Sequence, residues 1–271
     1  MADPSELIGH VKDAEAFHLP FGWEISIPQP FEAIGLHLTK FMVVELAVAV
    51  VMVAVFVPFA RKIASGRPPR GRLGNLLEVM ILFIRDQVAR PAIGSHDADR
   101  FLPFLWTQFF FILFLNLCGL LPWVGSPTGA LGATGALALV ALVVMLGAGM
   151  AKFGVVRFWL GQVPHMEVPW VLAIFVKPMI FVIEVLGIVV KHLILAVRLF
   201  ANMFAGHLVL AVIMGFIAAT AHSLLLWLGV TTVSVVGATA LDLLELMVAF
   251  LQAYVFTFLS ALFIGMAVHQ H

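Results

Sequence analysis

The chain has 271 residues, of which 62% are hydrophobic and only 11% charged, with no net charge. A soluble domain is nearer half apolar and a quarter charged, so these values exclude an ordinary soluble enzyme and give no footing for nucleic-acid binding. A single cysteine, Cys118, excludes an internal disulfide and a multi-cysteine metal site; neither a metal nor another cofactor is expected.

In chain order, residues 1–38 are acidic and contain prolines, without a basic stretch leading into an apolar core. This segment is expected to lie outside the cytoplasm and not to be a signal peptide. Residues 39–271 are expected to form one membrane domain. Its first span, about 41–60, is long enough to cross a bilayer and should act as its own signal. It ends at Arg61, Lys62, Arg67, Arg70 and Arg72, a cationic flank that predicts the cytoplasmic side. Residues 74–90 mix apolar residues with Glu78, Arg85, Asp86 and Arg90. That mixture predicts an amphipathic helix on the cytoplasmic surface.

Residues 101–122 predict the second span and 135–151 the third, joined by an uncharged outer loop; Lys152 and Arg157 mark the cytoplasm again. Residues 169–218 follow with only Lys177, Glu184, Lys191 and Arg198 carrying charge. A helix of this length runs roughly 75 Å, against a hydrocarbon core of about 30 Å, so it must be strongly tilted or broken. The last span, 232–268, runs roughly 55 Å and poses the same problem. Between them an uncharged stretch is expected outside, which leaves the C-terminus cytoplasmic. Trp106, Trp123, Trp159, Trp170 and Trp227 all fall near span ends, where interfacial tryptophans belong. The expected fold is an all-α integral membrane protein with five transmembrane crossings and one surface helix. It has no internal repeat.

Arg198 is the costliest residue in this layout. A guanidinium at a helix centre in lipid costs about 2.5–3.5 kcal/mol on insertion scales, so it marks a functional site by default. Glu184, Lys191 and Arg198 recur every seven residues and share a stripe, with Asn202 one turn beyond Arg198. In the last helix Asp242, Glu245 and Gln252 share another stripe. Antiparallel packing of the two helices permits His207 to approach Glu245 while Gln252 approaches Arg198. Histidine and carboxylate both gain and lose protons, whereas arginine keeps its proton. Such a mixture suggests proton traffic past a fixed charge; a lysine, which deprotonates when desolvated, would leak. Structural alternatives remain open. Arg198 pairs with an acid, His207 packs, Asp242 and Glu245 sit at an interface, Asn202 and Gln252 glue helices together, and Glu184 bridges to Lys191.

Three stretches, AVRLFANMFAGHL, LQAYVFTFLSALFIGMA and FLNLCGLLPW, resemble subunit a of F-type ATP synthases, and the likeness covers nearly the whole chain, including HLPFGW near the start. The resemblance implies a non-catalytic stator subunit whose long tilted hairpin faces a rotor ring of c subunits. Arg198 would be the essential charge facing that ring. Asn202, His207, Glu245 and Gln252, with Asp242 and Asn116 beside them, would belong to the outer proton half-channel. Glu184 and Lys191 would line the inner one. Peripheral-stalk b subunits, protons and membrane lipid are the other implied partners, in a bacterial plasma membrane. Some relatives carry an aspartate where this chain has Gly119, and serines where it has Gly187, Val190 and Ile194. A carboxylate from the 101–151 hairpin is therefore not expected, and the inner path should lean on Glu184 and water. A self-contained transporter is the competing reading, but it would need a midplane substrate cavity usually built from repeats.

Overall fold

The computed structural model describes residues 16–19, 23–29, 37–66, 71–121, 124–163 and 170–269. Five helices are long and apolar enough to cross a membrane. The first, α1 (Lys40–Ala64), starts where the Thr39 hydroxyl accepts a hydrogen bond from the Met42 amide at 3.5 Å. It stops after Arg61 and Lys62, where Gly66 takes a positive φ of 72° that a side chain would resist. Phe41, Val44, Val48 and Met52 form its buried stripe, at helical spacing.

The surface helix α2 (Arg72–Phe83) runs on through a π-helical stretch, Ile84–Ala89, into a short turn, Arg90–Ile93. Leu73, Leu76, Val79 and Leu82 leave an exposed apolar stripe, the pattern of a helix lying in a membrane interface. The Trp106 indole donates to the Ile81 carbonyl at 3.1 Å, just before the ladder shifts to π spacing. Asp86 bridges Arg85 and Arg90 at 3.0 and 2.9 Å.

Helices α3 (Ala98–Gly119) and α4 (Leu131–Phe153) form the next pair, followed by the short α5 (Val155–Leu160). The last two helices are α6 (Trp170–Ala219), 50 residues, and α7 (Leu224–Val268), 45 residues. At about 1.5 Å per residue both far exceed the hydrocarbon thickness, which requires strong tilt. The helix α7 begins eight residues before the predicted 232. Ser223 already accepts the Trp227 amide at 2.8 Å, and the leucines from Leu224 onward favour helix, so the connection shrinks to four residues.

One element has no counterpart in the sequence reading. Before the first span, β1 (Ala16–Leu19) pairs antiparallel with β2 (Trp23–Ser26), with Ala16 opposite Ser26 and Leu19 opposite Trp23. The alternation Trp-Glu-Ile-Ser in β2 is a strand signal, but four residues are too few to stand out. The membrane part remains all helical.

The chain groups into two compact units. One comprises residues up to 66, Phe109–Thr134 and Arg198–Tyr254; the other comprises residues 71–108, Gly135–Val197 and residues 255–269. In the first, Phe110 packs against Phe56 in a tilted pair with ring centroids 4.6 Å apart, among buried Ile112, Leu115, Leu199 and Ala249. In the second, Ile84, Ile93, Leu105, Phe158, Phe256 and Ile264 are fully buried. Small residues permit the close approaches that membrane helices favour. A Cβ on Gly149 would run into the Phe158 ring, and one on Gly265 into the Ala92 carbonyl.

Candidate functional site

The helix α6 has two faces. Ile188, His192, Leu195, Leu199 and Met203 are buried at spacings of four and three, a packing seam. On the other side Val190, Lys191, Ile194, Val197 and Arg198 are exposed. Arg198 thus lies within an outward apolar stripe. Among the described residues its guanidinium makes no ion pair and no hydrogen bond. The structural alternative, pairing with Glu184, Asp242 or Glu245, is not realised.

The first unit holds a buried polar cluster. Asn116 is fully buried; its amide donates to the Ala249 carbonyl at 3.3 Å and its oxygen accepts from the Thr128 hydroxyl at 2.9 Å. The hydroxyls of Thr128 and Ser126 lie 2.9 Å apart, so the three side chains form one connected chain. Buried hydroxyls and amides linked in this way satisfy one another, as a low-dielectric interior demands.

His207 is held from two sides. Its Nδ1 lies 2.9 Å from the Met203 carbonyl and its Nε2 3.0 Å from the Gly119 carbonyl. Both contacts are to acceptors. An imidazolium donates to both, whereas a neutral ring donates to only one. Gly119 is fixed by its surroundings: a Cβ there would sit 2.6 Å from the Ser126 hydroxyl and 3.0 Å from the Met203 Sδ-methyl carbon. A side chain at position 119 has no room in this chain, and the Gly119 carbonyl itself meets His207.

Glu245 is buried, and neither carboxylate oxygen has a hydrogen-bond partner among the described residues. It packs directly on Gly206, the neighbour of His207, where a Cβ would collide with the carboxylate. A bare buried carboxylate without partners is costly, so this position calls for an explanation. Gln252 is buried two turns further along α7, Asn202 is half-buried and Asp242 is exposed. The structure therefore brings Glu245 beside the His207 segment but links the two side chains by no hydrogen bond. It also makes no hydrogen bond between Gln252 and Arg198.

In the second unit Lys191 and Glu184 face each other at 3.9 Å, a long pair with both side chains substantially exposed. They line a cleft of about 660 Å³ together with Arg157, Gln162, His192 and Phe263. Among the described residues no group of three His, Cys, Asp or Glu side chains is arranged to hold a metal ion.

Sequence reasoning passed over Ser126, Thr128 and His192. The two hydroxyl residues sit in an uncharged loop, where such residues are commonplace and carry no signal. His192 was findable: it is a polar side chain inside an apolar run, but without a formal charge it escaped a count of charges.

Five helices apolar enough to cross a membrane, an outward arginine with no partner among the described residues, and a buried carboxylate and amides near a half-buried histidine define a polytopic membrane protein built around intramembrane charge. Comparison with known proteins narrows the class. The family profile described as ATP synthase A chain matches residues 42–265. ATP synthase subunit a of Myxococcus xanthus is 38% identical, over 97% of this chain and 88% of that protein. The subunit a of Chloroherpeton thalassium is 37% identical, over 98% of this chain and 78% of that one. Against the subunit a of Anaeromyxobacter sp. (strain Fw109-5), at 36% identity, this chain spans 62% of the relative's length. The chain belongs to the ATP synthase subunit a family, the non-catalytic membrane subunit of that complex.

Proposed function

We propose that this chain is the stator of a rotary H⁺-translocating F-type ATP synthase, with two offset proton half-channels separated by Arg198. The observation that carries the reading is Arg198 itself: a guanidinium on an outward apolar face with no partner among the described residues. Its counter-charge then comes from another subunit, a ring of c subunits bearing a midmembrane carboxylate. A carboxylate near Arg198 stays ionised; once protonated it can turn into lipid, where the bare anion would cost several kcal/mol.

Protons reach the ring from outside by way of Asn116, His207, Asp242, Glu245 and Gln252, with Asn202 one turn from Arg198. The partnerless Glu245 carboxylate and the doubly held His207 ring support this side of the path. Protons leave toward the cytoplasm along the cleft that Glu184 and Lys191 line. A guanidinium keeps its proton, so Arg198 blocks a direct wire between the two paths. Each proton delivers roughly 2.3 kcal/mol per 100 mV of membrane potential. The N-terminus lies outside the bacterial plasma membrane and residues 39–271 act as one membrane domain, held by peripheral-stalk b subunits.

The test is Arg198→Ala and Arg198→Lys in membrane vesicles. Proton-driven ATP synthesis is expected to vanish in both, while the complex still purifies with its ring of two-helix subunits. Normal coupling in either variant overturns the stator reading.

A further inference from the structure

We propose that His192 carries protons through the inner part of the pathway, an inference that rests on the stator reading above. In the second unit His192 is 3% exposed and lines the 660 Å³ cleft. Its Nδ1 lies 2.9 Å from the Ile188 carbonyl, one turn back on α6. A carbonyl only accepts, so the Nδ1 proton is committed there and the lone pair sits on Nε2. That Nε2 is buried and has no hydrogen-bond partner among the described residues. The ring is held in place by Phe263, with centroids 5.0 Å apart at 48°.

A histidine kept for packing alone is expected to have both nitrogens satisfied or exposed, because an orphaned buried nitrogen costs free energy. Here one nitrogen is fixed as a donor and the other is left without a partner, in a residue that lines the cleft. The contrast with His207, whose two nitrogens both face carbonyls, is direct. The charged and titratable groups around the cleft are Arg157 on α5, Glu184 and Lys191 on α6, and His269 after α7. Glu184 is eight residues, or about 12 Å of helix, before His192, so transfer between them passes through water. A cleft of 660 Å³ has room for such a chain at about 30 Å³ per water.

The step balances simply. A proton released by the ring carboxyl arrives through water and forms an Nε2–H bond, giving the imidazolium. That same bond then breaks toward the next water and the Glu184 carboxylate, returning the neutral ring. The Nδ1–H bond to Ile188 persists throughout, so the ring need not flip. During ATP hydrolysis the sequence runs backward.

The experiment uses inverted membrane vesicles, whose inner half-channel faces the bath, with the complete complex. In the unmodified complex, ATP-driven proton uptake plotted against bath pH should show an inflection from the imidazole. A flat profile overturns the proposal, whatever the variants do. His192→Asn and His192→Gln keep a polar side chain and should lower the rate about tenfold, short of the hundredfold or more of a fully limiting proton transfer. They should also abolish the inflection. His192→Ala should recover several-fold in millimolar imidazole, while the unmodified complex at the same imidazole does not change. Wild-type rates and profile in assembled His192→Asn overturn the proposal, as does a slow His192→Ala complex that ignores imidazole. Arg198→Ala run alongside separates the two ideas. If it keeps coupling, the stator reading fails; if it loses coupling while the His192 variants behave as wild type, only the role of His192 fails.

Discussion

Gly206→Ala should separate function from stability at the outer cluster. The added methyl would sit 2.7 Å from the Glu245 carboxyl carbon and 3.3 Å from its Cγ. Carbon atoms pack at about 3.5–4.0 Å, so the carboxyl must retreat by about 1 Å. Glu245 is a flexible side chain, and moving it off its rotamer costs about 0.5–1.5 kcal/mol. Replacing a mid-helix glycine by alanine returns about 0.8–1.0 kcal/mol of helix propensity. The two nearly cancel, so thermal stability of the purified complex should hardly change. Proton transfer is less forgiving, since a 1 Å misplacement of a reacting group can cost roughly a hundredfold in rate. Proton-driven ATP synthesis in vesicles should therefore fall by between about tenfold and a hundredfold, with assembly intact. An unimpaired rate would show that the position of Glu245 does not matter. A loss of several kcal/mol in stability would show that the carboxylate cannot move as argued.

Gly265→Ala should do the reverse, because its Cβ meets the backbone carbonyl of Ala92 and lies 3.3 Å from the Ile93 Cα, which no rotamer change relieves. Overpacking of about 1–3 kcal/mol is expected to lower the melting temperature while leaving the rate per assembled complex alone, and an unchanged melting temperature refutes it. Asp97 accepts from Lys152 at 2.6 Å, which holds its carboxyl below the usual carboxylate value, with His96 adding to the effect. A depressed folded value means that the ion pair stabilises fully above about pH 4 and is lost as pH falls further. The stability gap between the unmodified protein and Asp97→Asn should therefore close on acidification from about pH 4 downward, measured by thermal unfolding in detergent; a gap that widens contradicts the sign.

The five spans were legible because hydropathy over some twenty residues is a strong, additive signal. Their ends were less so. The uncharged stretch before residue 232 reads as a loop by position, yet its leucines simply continue the helix back to Leu224. The charged stripe Glu184–Lys191–Arg198 was legible from spacing alone, and so was the loose pairing of Glu184 with Lys191. What spacing could not supply was which backbone carbonyls come near which side chains. The grip of Gly119 and Met203 on His207 depends on main-chain atoms that carry no residue-type signal. The Ser126–Thr128–Asn116 chain likewise depends on how the loop after α3 folds back, not on any local pattern.

The two faces of α6 explain why the arginine and the seam coexist. The buried positions Ile188, Leu195, Leu199 and Met203 and the outward positions Lys191, Ile194 and Arg198 are interleaved repeats on one helix. Sliding the register by one residue would bury Arg198 without a partner, at a cost of several kcal/mol. The observed register avoids that, but it leaves a guanidinium on an apolar face among exposed Val197 and Ile194. In lipid alone that charge still costs about 2.5–3.5 kcal/mol. The proposed ring carboxylate removes this cost only while it sits opposite Arg198. No carboxylate of this chain pairs with the arginine among the described residues, so on the proposed mechanism each arriving ring subunit would meet a free charge. A permanent internal partner would have made α6 more comfortable in the membrane and, on the proposed mechanism, useless as a stator.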